Sequence, residues 1–188
     1  TVMNAPAGIT AIEYDCKGAN ITLNNGASSA IDAVVYAADL VASGAAEIVF
    51  AGGFESSRRD LDPGHPPVSF ACVLAVTTLA NAQAAGAQPS AQLVGFGSSN
   101  LPDSRGGEAR REILNKFLEA AVPAVEPQAR EIKQPPPCLE AGSAEQSLIA
   151  LLSAVQRLRK EGSDPWLAIW SGAAQETFSG TLLLSSSH

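Results

Sequence analysis

The sequence is short of the features that mark several common protein classes. Lysine and arginine number 12 against 19 aspartates and glutamates, for a net charge of −7. No basic cluster exceeds Arg110-Arg111 or the Arg157 to Lys160 segment. A phosphate backbone is gripped by clustered cations, so nucleic acid is not an expected partner. Long apolar runs are missing too. The longest, Phe70 to Ala80, is interrupted by Thr77 and Thr78 and falls well below the roughly 20 residues that a membrane helix needs. The three cysteines, Cys16, Cys72 and Cys138, are widely spaced and form no C-x-x-C, which argues against a disulfide framework or a zinc site and reads as reduced thiols. Histidine is limited to His65 and His188, and no metal is expected. Thr1 to Ala11 has neither the basic start nor the apolar core of a signal peptide, so the expected location is the cytoplasm.

What is present is globular. Hydrophobic residues make up 46% and charged residues 16% of 188, a balance that excludes disorder and allows one domain or two small ones. Ile21 to Leu23, β-branched and followed by Asn24-Asn25-Gly26, reads as a short strand. Ile31, Val34, Val35, Ala38 and Val41 fall at three- and four-residue spacing, which predicts a helix from Ser29 to Ala42, with Ser28 or Ser29 as N-cap and Gly44 as its stop. Glu47 to Phe50 reads as a buried strand closed by Gly52-Gly53. The strand, helix, strand order is that of a layered α/β sheet. Further along come a long strand (Pro67 to Val76), a short helix (Thr78 to Ala85, ended by Gly86) and a strand (Gln92 to Phe96). Glu108 to Ala121 is an amphipathic helix with Ile113, Leu114, Phe117 and Leu118 on one face. Val122 to Cys138, with Pro123, Pro127 and Pro135 to Pro137, reads as a connector. Ser143 to Arg159 is a second strong helix striped by Leu148, Leu151, Leu152, Val155 and Leu158. Trp166 to Trp170 and Gly180 to Leu184 predict an antiparallel hairpin with a long loop.

The run Gly18-Ala19-Asn20-Ile21-Thr22-Leu23-Asn24-Asn25-Gly26-Ala27-Ser28-Ser29-Ala30, continuing without a gap to Phe50-Ala51-Gly52-Gly53-Phe54-Glu55, resembles the nucleophile segment of β-ketoacyl synthases of the thiolase superfamily. In that family a Gly-Pro pair opens a strand, the catalytic cysteine sits at the next strand-to-helix elbow, and a buried strand runs into Ala-Gly-Gly-x-Glu. Gly18 takes the first Gly, Ala19 replaces the Pro, and Ala27 stands where the cysteine would be. Asn4 to Ile9 with Ala11 to Tyr14 resembles the preceding helix. Phe70 to Val76, Leu79 to Ala87 and Gln92 to Gly97 resemble the strand, helix and Gly-x-Gly strand that follow. Ala141-Gly142-Ser143-Ala144-Glu145 and the leucine stripe resemble the Gly-His-x-x-Gly-Ala-Ala-Gly helix, and Trp166 to Leu184 the closing hairpin.

The resemblance implies an α/β, thiolase-like layered fold, mixed sheets with helices packed between and outside. It also implies that the opening strands of the first half are missing ahead of Thr1, through a fragment or through completion by another chain. Residues 1–100 would be the remainder of the first half, 101–138 a connector with one helix and a proline-rich loop, and 139–188 a shortened second half.

The departures bear on function. A cysteine at a helix N-terminus is activated because the helix end lowers its thiol pKa. Ala27 cannot form an acyl-enzyme, and the neighbouring Ser28 has no His or Lys placed to serve as its base, which leaves it as a helix cap. The two catalytic histidines of condensing synthases have no counterparts. His65 lies in a proline-rich loop, His188 is the last residue, Cys138 or a neighbour takes the second histidine's approximate place, and Ser171-Gly172-Ala173-Ala174 replaces the Phe-Gly-Phe-Gly turn.

This pattern resembles chain-length factors, the non-catalytic subunits that pair with an active ketosynthase in type II polyketide and aryl polyene systems and shape the acyl tunnel. The resemblance implies a heterodimer with a β-ketoacyl synthase, an acyl carrier protein as second partner with the acyl chain on its phosphopantetheine, and no cofactor of the chain's own. Ile21, Thr22, Leu23 and Asn24 would form the interface strand. Val34, Val35, Phe54, Phe70 and Phe96 would line the tunnel or fill the core. Alternatives are a purely structural thiolase-like partner, a hydrolase using Thr1 as N-terminal nucleophile, and an enzyme relying on Cys16, Cys72 or Cys138. Glu13/Asp15 and Asp60/Asp62, beside Lys17 and Arg58-Arg59, read as solvated charge. Arg110-Arg111 is either an exposed helix face or a contact for an acidic carrier protein.

Overall fold

The computed structural model describes residues 4–56, 69–100, 138–141, 144–159, 166–171 and 178–185. Helix α1 (Ala5–Glu13) starts with a proline in its first turn, where the missing N–H costs nothing, and buries none of its residues. After it the chain runs without regular structure to a 3₁₀ turn (Gly26–Ser28) that leads directly into α2 (Ser29–Ala42). Strands β1 (Ile48–Ser56) and β2 (Ser69–Thr77) pair antiparallel from Ile48↔Thr77 to Ser56↔Ser69. Helix α3 (Leu79–Ala84), capped by the Thr78 hydroxyl accepting from the Asn81 N–H, leads to β3 (Gln92–Asn100). Strand β4 (Cys138–Ala141), helix α4 (Ala144–Leu158), and strands β5 (Trp166–Ser171) and β6 (Phe178–Ser185) complete the order.

The second sheet has the order β3-β6-β5-β4. Strand β6 pairs antiparallel with both β3 and β5, while β4 and β5 run parallel, as their joining helix α4 requires. β3, from the middle of the chain, therefore shares a sheet with strands from its last third. Helices α2 and α4 touch each other and lie between the sheets: α2 packs on β1 and β2 and reaches β6, and α4 packs on β4 and β5 and reaches β1 and β2. The core sits at this junction. Ile31, Val34 and Ala37 of α2 meet Ala51 of β1 and Ala150, Leu151, Ala154 and Leu158 of α4. Alanines at 37 and 154 let the helix backbones approach, and each fully buried aliphatic side chain contributes roughly 1.5–3 kcal/mol.

The Ser29–Ala42 helix and the Trp166/Gly180 hairpin form as their patterns predict. Four readings are corrected. Ile21 to Leu23 is not a strand: it has no ladder to a neighbour among the described residues, and Ile21 and Thr22 are exposed, because three β-prone residues hold strand geometry only when a partner strand supplies hydrogen bonds. β1 does not stop at Gly52-Gly53 but runs through them to Ser56. A Cβ at Gly52 would lie 2.0 Å from the Cys72 carbonyl oxygen, so this glycine permits a close strand approach rather than a turn. Nor is that strand buried throughout, since Ile48 and Phe50 are exposed. Cys138 belongs to β4 and not to the connector. The Glu108 to Ala121 helix and the rest of the connector lie outside the described residues.

Candidate functional site

Ala27, which the resemblance sets at the nucleophile position, is held at the centre of a hydrogen-bonded turn. Gly26 takes a φ of +63°, a conformation costly for residues with a Cβ, and this reverses the chain into the 3₁₀ turn. Ala27 and Ser28 follow, 3% and 0% exposed. The helix of the implied elbow is present, beginning two residues after Ala27, but no strand leads into it among the described residues, and the side chain at position 27 is a methyl group. The helix-end dipole that would lower a thiol pKa acts there on no ionisable side chain of residue 27.

Side chains of α2 fold back to fasten this turn. The Asn25 N–H donates to Ser29 Oγ at 2.8 Å, and Ser29 Oγ donates to the Gly26 carbonyl at 2.8 Å. Asp32 accepts from Asn25 Nδ2 at 3.0 Å and from Ser28 Oγ at 2.9 Å, and Ser28 Oγ also lies 3.1 Å from the Asn25 carbonyl oxygen. Ser28 occupies the N-cap position but makes no side-chain cap bond; its hydroxyl braces the turn instead. Fully buried and directed at Asp32 and a carbonyl, it is not placed to attack an acyl group. From the far end of the sequence, Ser147 in α4 donates its hydroxyl to the Ala27 carbonyl at 2.6 Å.

Beneath the turn, Ala30, Cys72 and Leu148 form a small apolar cluster with Phe70, Leu74 and Leu152 against it. Gly53 leaves room for Leu148, whose Cδ2 would stand 3.0 Å from a Cβ at that position. The tunnel-or-core candidates thus separate. Val34 is core and Val35 packs partly against it, Phe70 is half-buried below the elbow, and Phe54 and Phe96 are 57% and 46% exposed and belong to no core cluster. Phe54 points away because it shares its strand face with Ile48 and Phe50, opposite the helices.

Ile21 to Asn24 lie on the exposed approach to the turn, with Leu23 half-buried. Cys72 is buried in mid-strand, and desolvation raises its thiol pKa, which makes it a packing residue and a poor nucleophile. Cys16 is exposed in the loop after α1, and Asp15 is ion-paired with Lys17 on the surface. Thr1, Arg58, Arg59, Asp60, Asp62, His65, Arg110, Arg111 and His188 lie outside the described residues, as do the side chains of Cys138 and of Ser171. Among the described residues no helix is long and apolar enough to cross a membrane, and no cluster of His, Cys, Asp and Glu has the makings of a metal site. Ser147 escaped the sequence reading, although a signal was there. It lies on the same helical face as Leu151, Ala154 and Leu158, and a hydroxyl on a buried stripe requires a partner.

Residues 1–61 match the model of the β-ketoacyl synthase N-terminal domain family. No curated protein matches the chain by sequence. Among solved structures, an oxazolomycin ketosynthase domain from Streptomyces albus superposes with a TM-score of 0.67 at 19% identity, over 97% of this chain and 69% of its own. A type II PKS acyl-carrier protein in complex with its ketosynthase gives a TM-score of 0.74 at 15% identity, over 98% and 64%. The ishigamide ketosynthase/chain length factor gives 0.68 at 13% identity, over 98% and 65%. The chain thus spans about two thirds of the length of these structures. At such identities the likeness is one of architecture, and it is near-complete over this chain: the protein carries the thiolase-like fold of the ketosynthases.

Proposed function

We propose that the chain is a non-catalytic ketosynthase-like subunit, a chain-length factor that pairs with an active β-ketoacyl synthase and shapes the acyl tunnel during polyketide, polyene or fatty-acid-type elongation. The observation that carries this reading is Ala27. The elbow is built and braced as if for a nucleophile, yet the side chain at its centre is a methyl group and the adjacent hydroxyl is committed to Asp32 and Asn25. Retaining the architecture without the reactive atom favours a role in shape and assembly over one in covalent chemistry. The acyl chain would arrive on the phosphopantetheine of an acyl carrier protein. The largely exposed Ile21 to Asn24 segment supports the partner half of the proposal: β-prone residues without a ladder among the described residues can gain one from a neighbouring strand. Phe70, beside Ala30, Cys72 and Leu148 below the turn, is the candidate tunnel wall.

The test has two arms. Intact-mass measurement of the isolated chain after exposure to an acyl thioester donor is expected to show no added acyl group, and stable acylation would overturn the non-catalytic assignment. Co-expression with a ketosynthase encoded beside it is expected to yield a heterodimer in which Phe70→Ala alters the product-length distribution. A chain that purifies alone in the presence of that ketosynthase would overturn the pairing.

A further inference from the structure

The bond from Ser147 to Ala27 joins residues 120 positions apart. Its donor is fully buried on α4, on the face that carries Leu151, Ala154 and Leu158, and its acceptor is the backbone of a residue only 3% exposed. The bonds made by Asn25, Ser28, Ser29 and Asp32 are local and fasten the turn to α2. The Ser147 bond is of another kind, since it fastens the turn to a helix from the other end of the chain. At 2.6 Å it is at the short end for a hydroxyl–carbonyl pair. The bond is buried at both ends, and breaking it costs its own share of stability, so it favours the closed arrangement over one in which α4 and the turn part.

We propose that Ser147 is a positioning residue that latches the elbow shut, keeping the side chain of residue 27 buried, and that loss of its hydroxyl opens the turn to reagents from solvent. The proposal goes beyond the chain-length reading and does not rest on it. An elbow latched in this way is a property of the fold, whatever the partner or the product.

The experiment places a reporter at the latch. In the variant Ala27→Cys, alkylation by iodoacetamide is followed at residue 27 by peptide mass spectrometry, with Ser147 intact or replaced by Ala. The expected result is slow modification with Ser147 and at least about a tenfold faster reaction with Ser147→Ala, because the lost bond raises the population of the open turn. Amide exchange in the single variant S147A should accelerate at residues 26–32 while the amides of Leu151 to Leu158 keep their protection. Equal alkylation rates within about a factor of two, with exchange at 26–32 unchanged, would overturn the proposal. Should S147A lose protection throughout, the isosteric pair Ser147→Thr and Ser147→Val decides. Threonine keeps the hydroxyl and should leave residue 27 slow, valine should make it fast, and equal rates in that pair overturn the latch. Acylation and partner binding enter none of these readouts, so failure here and failure of the chain-length reading remain distinguishable.

Discussion

The two faces of the β1–β2 hairpin are made from the same kinds of residue and meet opposite fates. On the inner face Ala51 and Cys72 are buried, and Val49, Leu74 and Val76 pack against the α2–α4 core. On the outer face Ile48, Phe50, Phe54 and Val73 are 50%, 58%, 57% and 66% exposed. Strands apolar on both faces are usually covered on both faces. This hairpin is covered on one by the described residues. The difference shows that apolar composition does not place a residue in the core; the helix stripe that arrives to cover it does.

Three substitutions break or sharpen that contrast. The largest effect is expected from Leu151→Ala, which empties a site only 1% exposed between α2 and the inner face. It should lower stability by about 3 kcal/mol, read from the urea midpoint at unchanged slope. A loss under about 1 kcal/mol would mean that the inner core is loosely packed. Gly52→Ala comes next. The new methyl would meet the backbone of Cys72 and Val73, forcing the two strands apart at a cost of about 2 kcal/mol in the same measurement. The smallest effect is expected from Phe50→Ser. A ring 58% exposed has little burial to lose, so stability should stay within about 0.5 kcal/mol while the tendency to self-associate falls. A loss as large as that of Leu151→Ala would show that the outer face is covered after all.

The legible parts of this fold were those encoded by local periodicity. The stripes Ile31, Val34, Val41 and Leu148, Leu151, Leu158 dictate helices because burial at three- and four-residue spacing has no other solution. The final hairpin was legible for a similar reason, with two apolar runs and a polar turn between them. Elements that depend on distant partners were not. Ile21 to Leu23 has strand chemistry but no strand beside it among the described residues. Cys138 reads as the end of a proline-rich connector, and becomes part of β4 because β5, some thirty residues later, offers it a parallel ladder. Gly52 and Gly53 carry the residue types of a strand end, and what keeps the strand going is the nearness of Cys72 and Leu148, which no local window contains.

At the elbow the balance was similar. The absence of a nucleophile at Ala27 could be read from one letter aligned with a resemblance, and the helix start after it from Ser28 and Ser29. The bracing by Asp32 was less accessible. An acidic residue in the first helical turn is ordinary dipole chemistry, and nothing local reveals that it collects the Asn25 amide and the Ser28 hydroxyl together. Ser28 stands at the N-cap position, but its hydroxyl ties the turn to the Asp32 carboxylate of α2 and caps no backbone N–H.

The long reach of the Ser147 bond has a consequence for the timing of assembly. A turn fastened by neighbours no more than seven residues away can form within microseconds of its synthesis, whereas one completed from 120 residues downstream waits for α4 to be made. Strand β3 likewise waits for β6, since Gln92 pairs with Ser185. Until then the apolar stripe of α2 has no α4 to cover it, and the growing chain must carry that surface exposed. The elbow is thus specified by its own neighbours long before the helix that completes it is made.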